Sequence, residues 1–121
     1  MVDVALKVAK FYRHESCGKC TPCREGTNWT VKMIERIRSG EATPMDLDIM
    51  ASVQTNIIGN CLCVLGDAMA MPIASMIKHF RTEFEEHMER KRAEAGLGVD
   101  NVPTAYATVD AGHAGPYERV A

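Results

Sequence analysis

Apolar residues recur at three- and four-residue steps along the first three-quarters of the chain, which is the spacing of amphipathic helices. The first such segment covers residues 2–14, where Val4, Val8 and Phe11 share the predicted apolar face. The second covers about residues 24–38 and ends at the Ser39-Gly40 stop signal. Its predicted buried stripe consists of Thr27, Val31, Met33, Ile34 and Ile37.

Two further helices are predicted in the second half. Thr43-Pro44 is a helix start signal, because a hydroxyl can accept a free N–H and proline suits the first helical position. That third helix ends near Gly59, and residues 60–71 are predicted to form a turn or a short helical piece. The fourth helix ends near Gly96, and its apolar positions are Ile73, Met76, Ile77, Phe80, Phe84 and Met88.

The remaining segment, residues 96–121, is rich in Gly, Ala and Pro and has no periodicity. No good strand pattern and no internal repeat is present in the sequence. We therefore predict an all-α fold, a four-helix bundle-like domain over residues 1–95, followed by a disordered, flexible tail over residues 96–121.

Composition narrows the possible functions. A chain of 121 residues with 46% hydrophobic and 25% charged residues suits one small soluble domain. The net charge of -2 gives no electrostatic reason to expect nucleic acid as a partner. The longest apolar run, CLCVLGDAMAMPIASMI, is interrupted by Gly66, Asp67 and Pro72, and the N-terminus has no signal-peptide pattern. We expect a cytoplasmic protein without a membrane span.

The segment HESCGKCTPCREG contains Cys17, Cys20 and Cys23 at two successive three-residue steps. In a reducing compartment, clustered cysteines more often bind metal than form disulfides. A C-x2-C-x2-C run with no second ligand pair favours a [4Fe–4S] cluster that has one remote thiolate ligand. Structural zinc and a redox or disulfide role remain alternatives. No nucleophile arrangement is evident, so no catalytic residue is predicted.

The fourth ligand is not part of this run. In ferredoxins a further Cys and a Pro follow closely, whereas here Arg-Glu-Gly follows Cys23. The remaining candidates are Cys61 and Cys63. Within the run, Gly18 lacks a Cβ that would obstruct backbone N–H groups approaching the cluster, and Pro22 can set the bend into the second helix.

HESCGKCTPCREG, followed later by CVLGD, MPI and KHFR, resembles the C-terminal iron–sulfur domain of the flavin-binding, NADH-oxidising subunit of respiratory complex I. The resemblance covers about residues 2–92. It implies a four-helix domain with one [4Fe–4S] cluster that accepts electrons singly from reduced FMN and passes them toward quinone. It also implies that the ligands are Cys17, Cys20, Cys23 and Cys63, and that Cys61 is a spare thiol where relatives tend to have Ser or Thr.

The resemblance further implies an assembly. The chain has no glycine-rich phosphate-binding loop, so FMN and NADH are expected to be bound by a region preceding residue 1 or by a partner. We expect activity as an NADH:quinone oxidoreductase only within a complex, and none from the chain alone. The expected partners are the FMN/NADH-binding domain and other iron–sulfur subunits. The expected location is the peripheral arm of a membrane-bound respiratory complex, on the mitochondrial matrix side in a eukaryote.

Two other functions fit parts of this pattern. Diaphorase subunits of NAD-linked hydrogenases and formate dehydrogenases contain the same domain, although the lack of further cysteine runs after Cys63 favours complex I. A different class of protein, a zinc-stapled helical adaptor that binds partners through its fourth helix, is the remaining alternative.

Overall fold

The computed structural model describes residues 1–96, which form four α-helices and, within that range, no strand. The helices are α1 (Val2–Glu15), α2 (Thr21–Ser39), α3 (Pro44–Ile57) and α4 (Leu65–Glu94). The predicted all-α class and the number of helices are therefore confirmed. From residue 97 onward, the predicted tail lies outside the described residues. None of the four helices is long and apolar enough to cross a membrane.

The helices pack around one hydrophobic core. The stripe predicted on α2 is largely correct, because Val31, Ile34 and Ile37 are fully buried. Their 3.6-residue periodicity places them on one face, which packs against the three other helices. The remaining large core side chains come mainly from α3 and α4 and include Leu47, Met50, Ile57, Met69, Ile73 and Phe84.

The predicted apolar face of α1 is wrong. Val4 and Phe11 are 51% and 58% exposed, and Val8 is only partly buried. The helix instead turns a neighbouring face inward, which also repeats at helical steps and contains small side chains. Because two of these are alanines, the α1 backbone can approach α2 and α4 closely. The residues buried on α1 are Val2, Ala5, Leu6 and Ala9.

Helix α4 begins at Leu65, so the segment predicted as a turn or short helical piece is partly the first turns of this helix. Pro72 lies inside the helix, where it removes one backbone N–H. The helix is kinked at Phe80, which has φ -123° and ψ 24° and is exposed, contrary to the prediction. The predicted positions Ile73, Ile77, Phe84 and Met88 are buried.

Asp46 stabilises the start of α3, where the Thr43-Pro44 signal is confirmed. Its Oδ2 accepts hydrogen bonds from the Thr43 backbone N–H at 2.6 Å and from Thr43 Oγ1 at 2.9 Å. Its Oδ1 accepts one from Arg36 Nη1 at 3.0 Å, which connects α3 to α2. Asp46 is buried, and both of its carboxylate oxygens accept hydrogen bonds, as buried polar groups generally do.

Candidate metal centre

The three clustered cysteines lie where the loop of residues 16–20 enters α2. Cys17 is exposed in the loop, and Cys20 is the N-cap residue of the helix. Cys23 lies in the first turn and is only 7% exposed. Helix α2 begins at Thr21, earlier than predicted, and Pro22 occupies its first turn. The positive end of the helix dipole therefore lies beside these thiols, which favours negative charge there.

The loop that contains Cys17 is held in shape by local hydrogen bonds. Gly18 has φ +75°, a conformation that suits glycine. Its N–H donates to Ser16 Oγ at 3.3 Å, and its carbonyl oxygen accepts from Arg24 Nη1 at 2.9 Å. The backbone N–H of Arg24 donates to the carbonyl oxygen of Cys20 at 2.9 Å. The loop is thus attached to the first turn of α2 on both sides of Lys19.

The other two cysteines lie in the loop between α3 and α4. Gly59 has φ +74°, and its N–H donates to Asp67 Oδ1 at 2.9 Å, which ties the loop to the first turn of α4. Cys61 is partly buried against the core, with Sγ 3.7 Å from the Ile57 carbonyl oxygen. Cys63, in contrast, is exposed.

The two cysteine loops meet. The backbone N–H of Leu62 donates to Cys20 Sγ at 3.3 Å. Burial raises the pKa of the Cys61 thiol, and the nearby Cys23 and Cys20 raise it further. The structure therefore brings Cys20, Cys23 and Cys61 into one neighbourhood, with Cys17 and Cys63 exposed on the same two loops. All five cysteines are free thiols.

Within residues 1–96, no three His, Cys, Asp or Glu side chains are grouped as a site for a metal ion. The predicted ligand set of Cys17, Cys20, Cys23 and Cys63 therefore remains a prediction. The chemistry of the donor set does fit an iron–sulfur cluster, since thiolates are soft ligands. Cys20 Sγ accepts from a backbone N–H, and Cys23 Sγ lies 3.3 Å from the Ser16 hydroxyl. Hydrogen bonds of this kind stabilise negatively charged sulfur.

The Leu62 donor was not predicted from the sequence. A backbone N–H leaves no residue-type signal, and its contact with sulfur depends on where the second loop lies. Only the position of Leu62 between two cysteines could have indicated it.

Comparison with known proteins identifies the family. The family described as "NADH-ubiquinone oxidoreductase-F iron-sulfur binding region" matches residues 3–87. The chain belongs to this family. The resemblance seen in the sequence is therefore confirmed, and so is the iron–sulfur cofactor class predicted from the cysteine run. Both cysteine loops lie inside the matched residues.

The relatives of this iron–sulfur family member include bacterial proteins and a fungal one. It is 49% identical over 92 residues to an NADH-quinone oxidoreductase F subunit of Rhizobium meliloti, covering 76% of this chain and 22% of the relative. It is 41% identical over 96 residues to the mitochondrial 51 kDa subunit of NADH-ubiquinone oxidoreductase of Aspergillus niger, covering 79% and 19%. The chain thus spans about a fifth of the length of these relatives.

A solved structure has the same fold as this family member. It is the crystal structure of an NAD+-reducing [NiFe]-hydrogenase in the H2-reduced state, with a TM-score of 0.67 and 29% sequence identity. The match covers 84% of this chain and 20% of the hydrogenase chain. The fold is therefore shared with part of a hydrogenase chain.

Proposed function

We propose that the chain is the electron-transfer module of an NADH-quinone oxidoreductase and holds one [4Fe–4S] cluster through Cys17, Cys20, Cys23 and Cys63. The observation that carries this proposal is the hydrogen bond from the Leu62 N–H to Cys20 Sγ, because it brings the two cysteine loops together. When bound, such a cluster supplies one-electron chemistry, here between reduced FMN and the path to quinone. The protein's residues hold it, shield it and set its potential.

The packing of Cys61 supports Cys63 as the remote ligand, whereas the position of Cys61 beside Cys20 and Cys23 favours Cys61. Cys61 Sγ is directed toward the Ile57 carbonyl oxygen, and a Cβ built on Gly66 would lie only 2.8 Å from that sulfur. Cys61 is therefore packed against Ile57 and Gly66. The exposed thiol of Cys63 has no such packing and is available to a cluster that lies between the two loops.

The surface next to Cys63 supports a covering partner. Leu62 and Val64, which flank Cys63, are 85% and 77% exposed. Large apolar side chains at such a site indicate a surface that is covered in the assembled protein. We propose that the cover is the FMN/NADH-binding part of the subunit, since the chain spans about a fifth of its relatives. NADH and FMN would be bound there.

The proposal extends to the domain organisation and the location. Residues 1–95 would be the iron–sulfur module, and residues 96–121 an appended tail. Other iron–sulfur subunits would receive the electrons within the peripheral arm of a membrane-bound complex, on its cytoplasmic or matrix side. The chain alone would not oxidise NADH.

The test is the metal content of the chain purified without oxygen. The proposal expects a brown protein with about four irons and about four sulfides per chain, and a paramagnetic signal after dithionite reduction. Cys20→Ser, which removes the thiol that accepts from Leu62, is the control and should lose the cluster. A colourless wild-type chain containing one zinc would overturn the proposal and favour the zinc-stapled adaptor.

A second candidate is the diaphorase module of an NAD-linked hydrogenase, which the fold shared with the hydrogenase structure favours. Purification of the tagged chain with its natural partners separates the two. NADH-dependent quinone reduction by the complex supports the main proposal. Hydrogen-dependent reduction of NAD+, with nickel in the complex, supports the hydrogenase.

A further inference from the structure

Ser16 lies against the most buried thiol of the proposed cluster site. Its Oγ is 3.3 Å from Cys23 Sγ, and the contact is partly buried. Ser16 is the C-cap residue of α1, and its backbone N–H donates to the Tyr12 carbonyl oxygen at 3.0 Å. Its backbone is therefore anchored by α1, while its side chain reaches the first turn of α2.

The direction of the contact follows from the other hydrogen bond of the hydroxyl. The Gly18 N–H donates to Ser16 Oγ at 3.3 Å, so a lone pair of this oxygen is occupied and its single proton is free. A metal-bound Cys23 is a thiolate without a proton and can only accept. With Cys23 bound to a cluster, the hydroxyl proton would therefore point at sulfur. The two bonds form a chain from the Gly18 N–H through Ser16 Oγ to Cys23 Sγ, and each polarises the other.

We propose that Ser16 is a positioning residue that donates a hydrogen bond to the Cys23 thiolate and raises the reduction potential of the cluster. The inference rests on the proposed function, since it takes Cys23 as a ligand. Reduction adds negative charge that spreads onto the ligand sulfurs, so a fixed donor stabilises the reduced state more than the oxidised one. The proton stays on Ser16 Oγ, and no covalent bond is made or broken.

Removing the Ser16 hydroxyl takes away the acceptor of the Gly18 N–H, but two other contacts still hold the loop. The Gly18 carbonyl oxygen is held separately by Arg24 Nη1 at 2.9 Å, and the Ser16 backbone by the Tyr12 carbonyl oxygen. Neither contact uses the Ser16 hydroxyl. A second donor to a thiol, the Leu62 N–H, belongs to the backbone and remains when side chains are changed.

The test is the midpoint potential of the chain with its cluster reconstituted, measured by redox titration with electron paramagnetic resonance. The Ser16→Ala variant should hold about four irons. Its equilibrium constant for one-electron reduction should be about tenfold smaller, which corresponds to a midpoint potential about 59 mV lower. Ser16→Thr, which keeps a hydroxyl, should restore most of the potential. Ser75→Ala removes an exposed serine ten residues into α4 and should leave the potential at the wild-type value.

A further pair of variants separates the hydroxyl from side-chain shape, because Ser16→Thr and Ser16→Val have nearly the same shape. A lower potential in the valine than in the threonine variant supports the proposal even if Ser16→Ala fails to fold.

Equal potentials in wild type, alanine and valine variants with full clusters would overturn it and leave the proposed function intact. Loss of the cluster from both variants without a hydroxyl would also overturn it, since Ser16 would then be needed for binding. A wild-type chain with no cluster would overturn the proposed function itself.

Discussion

The backbone N–H of Leu62 donates a hydrogen bond to Sγ of Cys20, at 3.3 Å and across 42 residues of chain. This contact joins the loop before α4 to the N-terminus of α2. It places a cysteine on each side of Leu62 near the clustered thiols, so Cys61 and Cys63 are both candidates for the remote ligand of the proposed cluster.

We predict that Cys63→Ser lowers the iron and sulfide content well below about four each per chain and that Cys61→Ser leaves both near the wild-type content. The reason is that Cys61 is packed against Ile57 and Gly66, whereas Cys63 is exposed. Metal analysis after anaerobic reconstitution is the measurement. If Cys61→Ser loses the cluster and Cys63→Ser keeps it, the ligand assignment is reversed.

In the metal-free chain, thiol accessibility should follow the structure. Cys17 and Cys63 are exposed, whereas Cys23 is buried. Cys61 is partly buried, and because burial raises the pKa of its thiol, less of it is thiolate at pH 8. We expect an alkylating reagent to modify Cys17 and Cys63 well before Cys23 and Cys61, as followed by mass spectrometry. In denaturant, the differences in alkylation rate among these cysteines should disappear. If the same order of modification persists there, local sequence and not the fold sets the rates.

Gly66→Ala should destabilise the fold by about 1–3 kcal/mol through overpacking. An added Cβ would lie 2.8 Å from Cys61 Sγ and 3.0 Å from Ile57 Cγ2. Without these contacts, replacing glycine by alanine in a helix would stabilise the fold by up to about 1 kcal/mol. The sign of the measured change therefore shows whether overpacking or helix propensity dominates. The measurement is urea unfolding followed by circular dichroism. Adding Cys61→Ala should recover part of the loss, and a full loss in the double variant would exclude Cys61 as the obstacle.

Asp46→Ala should lower the free energy of unfolding by about 2 kcal/mol, because it leaves the Thr43 N–H and Arg36 without their buried acceptor. Asp48→Ala is the matched control on the same helix. Asp48 is exposed and accepts from Arg81 Nη1 at 2.6 Å, a surface pair whose loss should cost less than about 1 kcal/mol. Equal losses in the two variants, measured by urea unfolding, would contradict this ranking.

Much of this molecule follows from short stretches of its sequence. The four helices are indicated by periodicity and by local start and stop signals such as Thr43-Pro44 and Gly40. The type of cofactor is indicated by the spacing of Cys17, Cys20 and Cys23. These are properties of neighbouring residues, so they can be inferred without knowledge of the fold.

The tertiary structure decided what depends on distant parts of the chain. Helix α1 has two faces that are apolar enough to be buried. The face with Leu6 and the alanines contacts α2 and α4, whereas the face with Val4 and Phe11 stays exposed. Likewise, the sequence determined that two thiols lie close before α4. Only packing turned Cys61 toward Ile57, left Cys63 exposed and brought the Leu62 N–H to Cys20. Helical period and ligand chemistry are local, whereas the choice of a buried face and the meeting of two loops depend on the surface that the rest of the fold presents.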